Sequence, residues 1–158
     1  KESCLPIWFM RQAGRYLPEF REIRSNNQDF IKLCLNSKLS SQITLQPLKR
    51  FDLDAAIIFS DILIVPFGLG QNVDFIKNKG PILSKINLNN FLDISVNSFL
   101  EKVSPVYEAI KITKEKLEKN KSLIGFVGAP WTLLVYMMGI KENKNQINIE
   151  TLNKKKKK

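Results

Sequence analysis

Three short stretches carry the side chains best suited to polar chemistry. Arg11–Tyr16 reads RQAGRY, placing two guanidiniums four residues apart around Gly14, directly after an apolar run. Each guanidinium offers a planar fork of donors matched to carboxylates and keeps its charge when partly buried, so two in one loop make a site for a polycarboxylate. They can equally pair with Glu19 and Glu22, as surface ion pairs of small energetic weight. Residue types alone leave both readings open. Asp61 closes the run FSD. A carboxylate there can cap a helix starting near Ile62, the commoner role of a lone aspartate. It can also face a cavity, accepting N–H donors and holding developing positive charge. Tyr136 lies one turn beyond Trp131–Thr132 on an apolar stretch and reads as a core aromatic with a satisfied hydroxyl. Phe67–Asn72 (FGLGQN) holds two glycines but no GxGxxG and no following Gly-Lys-Ser/Thr, so it is not a nucleotide loop.

The composition narrows the chemistry further. The 158 residues contain no histidine, which removes Ser-His-Asp and Cys-His catalysis from this chain, and any zinc site needing imidazole. Cys4 and Cys34 have neither metal-ligand spacing nor a secretory context and read as reduced, buried, small hydrophobes. Of the formal charge of +10, five units sit in Lys154–Lys158, a low-complexity run expected to be solvated. The remainder favours an anionic small-molecule partner only mildly. No nucleic-acid-binding module accompanies the lysines, so no nucleic-acid partner is expected. No apolar run approaches the ~18 residues of a membrane span, so no membrane partner is expected either. Nothing at the start resembles a cleaved signal, which points to the cytoplasm, or alternatively a plastid or other organelle matrix. The chain begins with lysine and dissolves into an Asn/Lys-rich stretch after Ile140, features expected of a fragment.

These side chains need elements to hold them. Pro6–Arg11 (PIWFMR) predicts a buried strand running into a loop. Short helices are expected over Glu19–Arg24 and Asp29–Leu35, and a longer one over Ser40–Phe51, which Pro47 should kink or divide. Asp54–Asp61 (DAAIIFSD) is the continuous apolar run of a strand buried on both faces. Val65–Leu83, with Gly68, Gly70 and Gly80, predicts an excursion or hairpin. Asn97–Lys119 repeats Phe99, Val103, Val106, Ile110 and Leu117 at helical spacing, with Pro105 as a kink or the true start. Leu123–Val127 predicts a second buried strand, followed by a helix from Trp131 to about Ile140. Alternating strands and helices indicate an α/β fold with parallel pairing. Arg11–Tyr16, Ser60–Asp61 and Gly128–Thr132 then fall in the three loops at the C-terminal ends of the expected strands, where barrel enzymes build their sites.

Three segments together resemble the uroporphyrinogen decarboxylase family. Pro6–Arg24 (PIWFMRQAGRYLPEFREIR) resembles its N-terminal signature almost letter for letter, and Phe51–Leu63 (FDLDAAIIFSDIL) and Gly125–Gly139 (GFVGAPWTLLVYMMG) follow in the family's order. The resemblance implies a TIM (β/α)8 barrel, of which this chain supplies roughly the N-terminal half. Residues 1–153 would be part of that single barrel domain and residues 154–158 a lysine tail. It implies a cofactor-independent carboxy-lyase of haem biosynthesis, usually a homodimer, that converts the four acetates of uroporphyrinogen to methyls. By matching position, Arg11 and Arg15 would bind substrate carboxylates, with Arg11 also a proton donor. Asp61 would gather the pyrrole N–H groups, and Tyr136 would hydrogen-bond near the reacting acetate. Gln12 and Ala13 would offer backbone contacts. No metal is implied. Cobalamin-linked methyltransferases, which share the barrel, are the nearest enzyme alternative; they would be expected to lack RQAGRY and to carry thiol or imidazole zinc ligands later in the chain. A truncated product binding nucleic acid through its lysine tail is the non-enzymatic alternative.

Overall fold

The computed structural model describes residues 5–76, 79–86, 91 and 93–139. Cys4 and the expected lysine tail lie outside them. The first helices are α1 (Pro18–Asn26), α2 (Phe30–Cys34) and α3 (Ser37–Arg50). Pro18 opens α1 at a position where its missing N–H costs nothing. Asp29 and Asn36 cap α2 and α3 by accepting the amides of Lys32 and Leu39 at 3.0 and 3.1 Å. Pro47 neither divides nor ends α3. It sits in the last turn with its ring fully buried, and the Phe51 amide still closes on its carbonyl at 2.9 Å.

Strand β1 (Ala55–Ile57) follows, then α4 (Ile64–Gly68) and an antiparallel hairpin of β2 (Val73–Ile76) and β3 (Gly80–Leu83). Helix α5 (Val96–Lys116) leads to β4 (Ser122–Ile124) and α6 (Pro130–Met137). Strands β1 and β4 pair in parallel, with Ala55, Ala56 and Ile57 opposite Ser122, Leu123 and Ile124. Parallel neighbours joined through intervening helices form the βαβ unit of a barrel. Helix α5 runs unbroken through Pro105, with Ser95 rather than the proline at its start, its hydroxyl accepting the Ser98 amide at 3.1 Å.

Two core clusters lie behind the sheet. Ile31, Cys34, Leu63, Ile64, Val73 and Val103 form one, with Phe67, Phe99 and Tyr136 packed against it. Leu17, Phe20, Leu33 and Ile43 form the other, and Phe59 touches both. Cys34 is fully buried, and burial pushes its thiol pKa well above the usual range, with the Asp61 charge adding to the effect.

The expected strand over Pro6–Arg11 differs in the structure. Its residues are exposed, and only Ile7 bonds to the residue ahead of β1: its amide donates to the Asp54 carboxylate at 2.6 Å and its carbonyl accepts the Asp54 amide at 2.9 Å. A single bridging residue gives too little pairing for a ladder, and among the described residues no chain lies on the other side. Of the expected strand Leu123–Val127, only Leu123 and Ile124 pair with β1, leaving Phe126 and Val127 exposed.

Candidate functional site

The RQAGRY loop is held from three sides. Gln12 is buried and donates its side-chain amide to the Ala55 carbonyl at 2.8 Å, tying the loop to the start of β1. The Tyr16 hydroxyl donates to the Gln12 carbonyl; desolvation, then the charge of Glu19, raises its pKa. Arg21 reaches back from α1 to the carbonyls of Arg15 and Tyr16 at 2.8 and 3.2 Å. Glu19, a possible partner for the loop arginines, instead holds Arg50 in a two-pronged pair at 2.7 and 2.8 Å. No described acidic side chain forms an ion pair with Arg11 or Arg15.

The end of β1 is fixed from behind by α3. Ser40 donates its hydroxyl to the Phe59 carbonyl, and Thr44 accepts the Phe59 amide at 2.8 Å while donating to the Ser40 carbonyl at 2.7 Å. Both hydroxyls are buried, so Phe59 and the two residues after it are held in register with the helix. Asp61 then makes a tight local turn, its Oδ1 accepting the Leu63 amide at 2.8 Å just ahead of α4. This is a turn ahead of the helix rather than the expected cap, since Leu63 is the cap residue of α4 and among the described residues no side chain caps it, and the bond uses one carboxylate oxygen. Burial raises the Asp61 pKa, and the Leu63 amide partly offsets that rise. The third loop closes against the second at Gly128, where a Cβ would lie 2.7 Å from Leu133 Cδ2 and 3.1 Å from Ile62 Cβ.

These constraints bring Arg15 and Asp61 to the wall of one cavity of about 940 Å³. Ala13 and Gly14 line it from the same loop, Phe20, Arg24 and Gln28 from α1 and its end, and Phe30 and Phe59 from the core side. Phe75, Ile76 and Gly80 of the hairpin complete the wall. The aromatic rings interlock edge to face: Phe30 lies 5.8 Å from Phe59 and 4.7 Å from Phe75, with Phe20 5.8 Å from Phe59. The Arg24 guanidinium sits 5.5 Å from the centre of the Phe30 ring. The wall thus carries two guanidiniums, one carboxylate and a broad aromatic floor, suited to a flat anionic ligand with an electron-poor centre.

Arg11, Gln12 and Tyr136 do not line this cavity. Arg11 is exposed, Gln12 turns inward to β1, and Tyr136 packs against the Leu63–Ile64 cluster. Arg24 was not singled out by the motifs, although it closes the same apolar-and-basic segment two turns after Arg15. Ser40 and Thr44, four apart on the buried face of α3, also escaped notice; paired hydroxyls on an inward helix face were the available signal. Among the described residues, no three His, Cys, Asp or Glu side chains gather as they would around a metal.

A family model described as "Uroporphyrinogen decarboxylase (URO-D)" matches residues 1–157. The chain is 53% identical over 135 residues to a protein named uroporphyrinogen decarboxylase from Orientia tsutsugamushi (strain Ikeda), covering 85% of this chain and 39% of that one. It is 53% identical over 137 residues to the namesake from Neorickettsia sennetsu, covering 87% and 41%. Against a Campylobacter jejuni (serotype O:23/36) protein of the same name it is 48% identical over 142 residues, covering 89% and 42%. The chain therefore spans about two-fifths of the length of the curated relatives it matches. Among solved structures, a methyltransferase from Methanosarcina mazei superposes with a TM-score of 0.66 at 18% identity, over 89% of this chain and 42% of that one, a likeness of fold alone.

Proposed function

Because this chain belongs to the uroporphyrinogen decarboxylase family, we propose that it forms the N-terminal part of the enzyme that converts uroporphyrinogen III to coproporphyrinogen III. The reaction releases CO2 from each of four acetates and leaves methyls. The observation that supports this reading is the convergence of Arg15, from the RQAGRY loop, and Asp61, from the loop after β1, on one aromatic-floored cavity.

The residue types suit the reaction. Protonating a pyrrole ring carbon makes the ring a cationic electron sink. The acetate C–C bond then breaks, CO2 leaves, and its electron pair flows into the ring. A second proton delivered to the resulting exocyclic methylene gives the methyl as the first is lost. Asp61, fixed by Leu63 and partly desolvated, is preorganised to stabilise that cation and gather pyrrole N–H groups. Arg15 and Arg24 hold peripheral carboxylates on the cavity wall. Arg11, exposed at the start of the same loop, serves a further carboxylate or supplies the proton. Ala13 offers backbone contacts at the wall and Gln12 sets the loop's position. Tyr136 acts near the reacting acetate, through α6. No cofactor is required, because the substrate ring supplies its own electron sink.

In the same proposal residues 1–153 belong to one barrel domain, the complete enzyme is a cytoplasmic homodimer, and this 158-residue chain alone is inactive. None of the described helices is long and apolar enough to cross a membrane. The methyltransferase alternative rests on a fold likeness at 18% identity, against about 50% to proteins named as the decarboxylase. The test is a full-length relative carrying asparagine at the position of Asp61. Its kcat should fall by on the order of 10² or more, the loss expected when a preorganised electrostatic partner is removed. Unchanged turnover would take Asp61 out of the mechanism, and coproporphyrinogen made by the purified 158-residue chain would overturn its proposed inactivity.

A further inference from the structure

We propose that Gln71 is a positioning residue, one that sets where Tyr136 stands by holding the end of α6. The inference rests on the role given to Tyr136 above. Gln71 follows Gly70, whose positive φ of 82° turns the chain from α4 toward the hairpin. Its main-chain amide donates to the Pro66 carbonyl of α4 at 3.0 Å. Its side chain is buried, and the side-chain amide donates twice. One bond runs to the Ser84 carbonyl at 2.6 Å, the other to the Met137 carbonyl at 2.8 Å. Helix α4, the base of the hairpin and the end of α6 thus meet at one residue.

The bond to Met137 falls where α6 needs it. The last carbonyls of a helix have no partner within the helix, and α6 has only eight residues. Its first turn is seated through Leu133, which packs close on Gly128. Its last turn carries Tyr136 and Met137, and Gln71 ties that turn down from 66 residues away in sequence. Tyr136 directly precedes the anchored carbonyl, so any swing of the last turn carries the phenol ring with it. The hairpin does not depend on the same amide. The Ser84 amide donates to the Asn72 carbonyl at 3.0 Å, and the Asn72 amide to the Ser84 hydroxyl at 3.1 Å. The ladder continues from there, with Val73 opposite Leu83. Losing the glutamine amide therefore releases α6 and leaves Phe75, Ile76 and Gly80 on the cavity wall. The other end of the side chain marks it as more than filler. Its Oε1 is buried with no hydrogen-bond partner among the described residues. A glutamine that leaves its oxygen unsatisfied keeps its place through its two donors.

The test is a double-mutant cycle in a full-length relative with glutamine and tyrosine at the two matching positions, read as uroporphyrinogen turnover. Gln71→Met keeps the length of the side chain and removes both donors. It should lower kcat about tenfold or more, the scale of a misplaced group, with KM held within about twofold. In a Tyr136→Phe background the same change should cost less than about twofold, because the group it places is already gone. In an Arg15→Lys background it should keep its full cost. Should Gln71→Met fail to fold, Gln71→Asn, which keeps the amide but withdraws it from both carbonyls, is read in the same two backgrounds. A parental kcat in the glutamine variant overturns the inference. So does a cost that survives intact in an impaired Tyr136→Phe enzyme, and that result fails this inference alone. A parental kcat in Tyr136→Phe by itself overturns the role given to Tyr136, and the inference with it.

Discussion

The side chain of Gln12 donates to the carbonyl of Ala55 across 43 residues of sequence, joining the loop that carries two arginines to the first residue of the strand that leads to Asp61. The bond is buried and its acceptor is main chain, so it fixes the spacing between Arg15 and Asp61 rather than the identity of either. Gln12→Leu keeps the bulk and removes the donor, leaving a buried carbonyl short of a partner. A loss of about 1–3 kcal/mol is expected, read as a lower urea midpoint at unchanged slope.

Thr44→Val is the corresponding cut on the other side of β1. The half-buried Phe59 amide loses its acceptor, the buried Thr44 hydroxyl, and an isosteric methyl cannot replace it. Destabilisation of about 1–3 kcal/mol is expected by the same urea measurement. In a full-length relative the substitution at this position should also lower kcat, since Asp61 follows Phe59 by two residues.

Asp61→Asn should separate stability from activity. The asparagine oxygen can still accept the Leu63 amide, while the partly buried negative charge is gone. Burial raises the carboxyl's pKa in the folded chain above its unfolded value, so folding takes up a proton between the two values. The ionisation penalty is therefore absent below the unfolded pKa and fully present above the folded one. Asp61→Asn should melt higher than the parent at pH 7, and the difference should vanish as the pH falls below the ordinary carboxylate range. Thermal melts across that pH series check it; an asparagine variant less stable at pH 7 counts against the desolvated carboxylate.

Gly128→Val should force apart the second and third loops. A Cβ there already meets Leu133 and Ile62 at less than normal contact, and branching worsens both clashes. Overpacking of this sort costs about 1–3 kcal/mol, visible as a depressed melting temperature.

Arg15→Lys, made at the matching position of a full-length relative, retains the charge and loses the fork. Loss of one charge-assisted hydrogen bond should raise KM for uroporphyrinogen about tenfold or more. A KM unchanged within twofold would remove Arg15 from the carboxylate-binding set.

Much of this architecture can be read from local pattern. The run DAAIIFSD announces β1 because a strand covered on both faces must be apolar throughout, and Asp29 marks the start of α2; α3 and α5 start earlier than the expected Ser40 and Asn97, at the caps Asn36 and Ser95. The glycines before Leu83 predict the hairpin, which the structure places against the cavity. What local pattern misses depends on distant partners. PIWFMR looks like a core strand because its composition is apolar, yet its burial depends on neighbours that periodicity does not reveal. Pro47 looks like a break, but its buried ring and its place in the final turn let α3 continue. Arg24 joins Arg15 on the wall only because α1 folds back over Phe30, a relation between elements rather than within one.

Cys34 gives the interior a built-in clock. Its thiolate is suppressed by burial and by the neighbouring Asp61 charge, so an alkylating reagent can reach it only when α2 swings out of the core. The rate at which mass spectrometry finds that one peptide modified therefore counts openings of the segment behind the cavity.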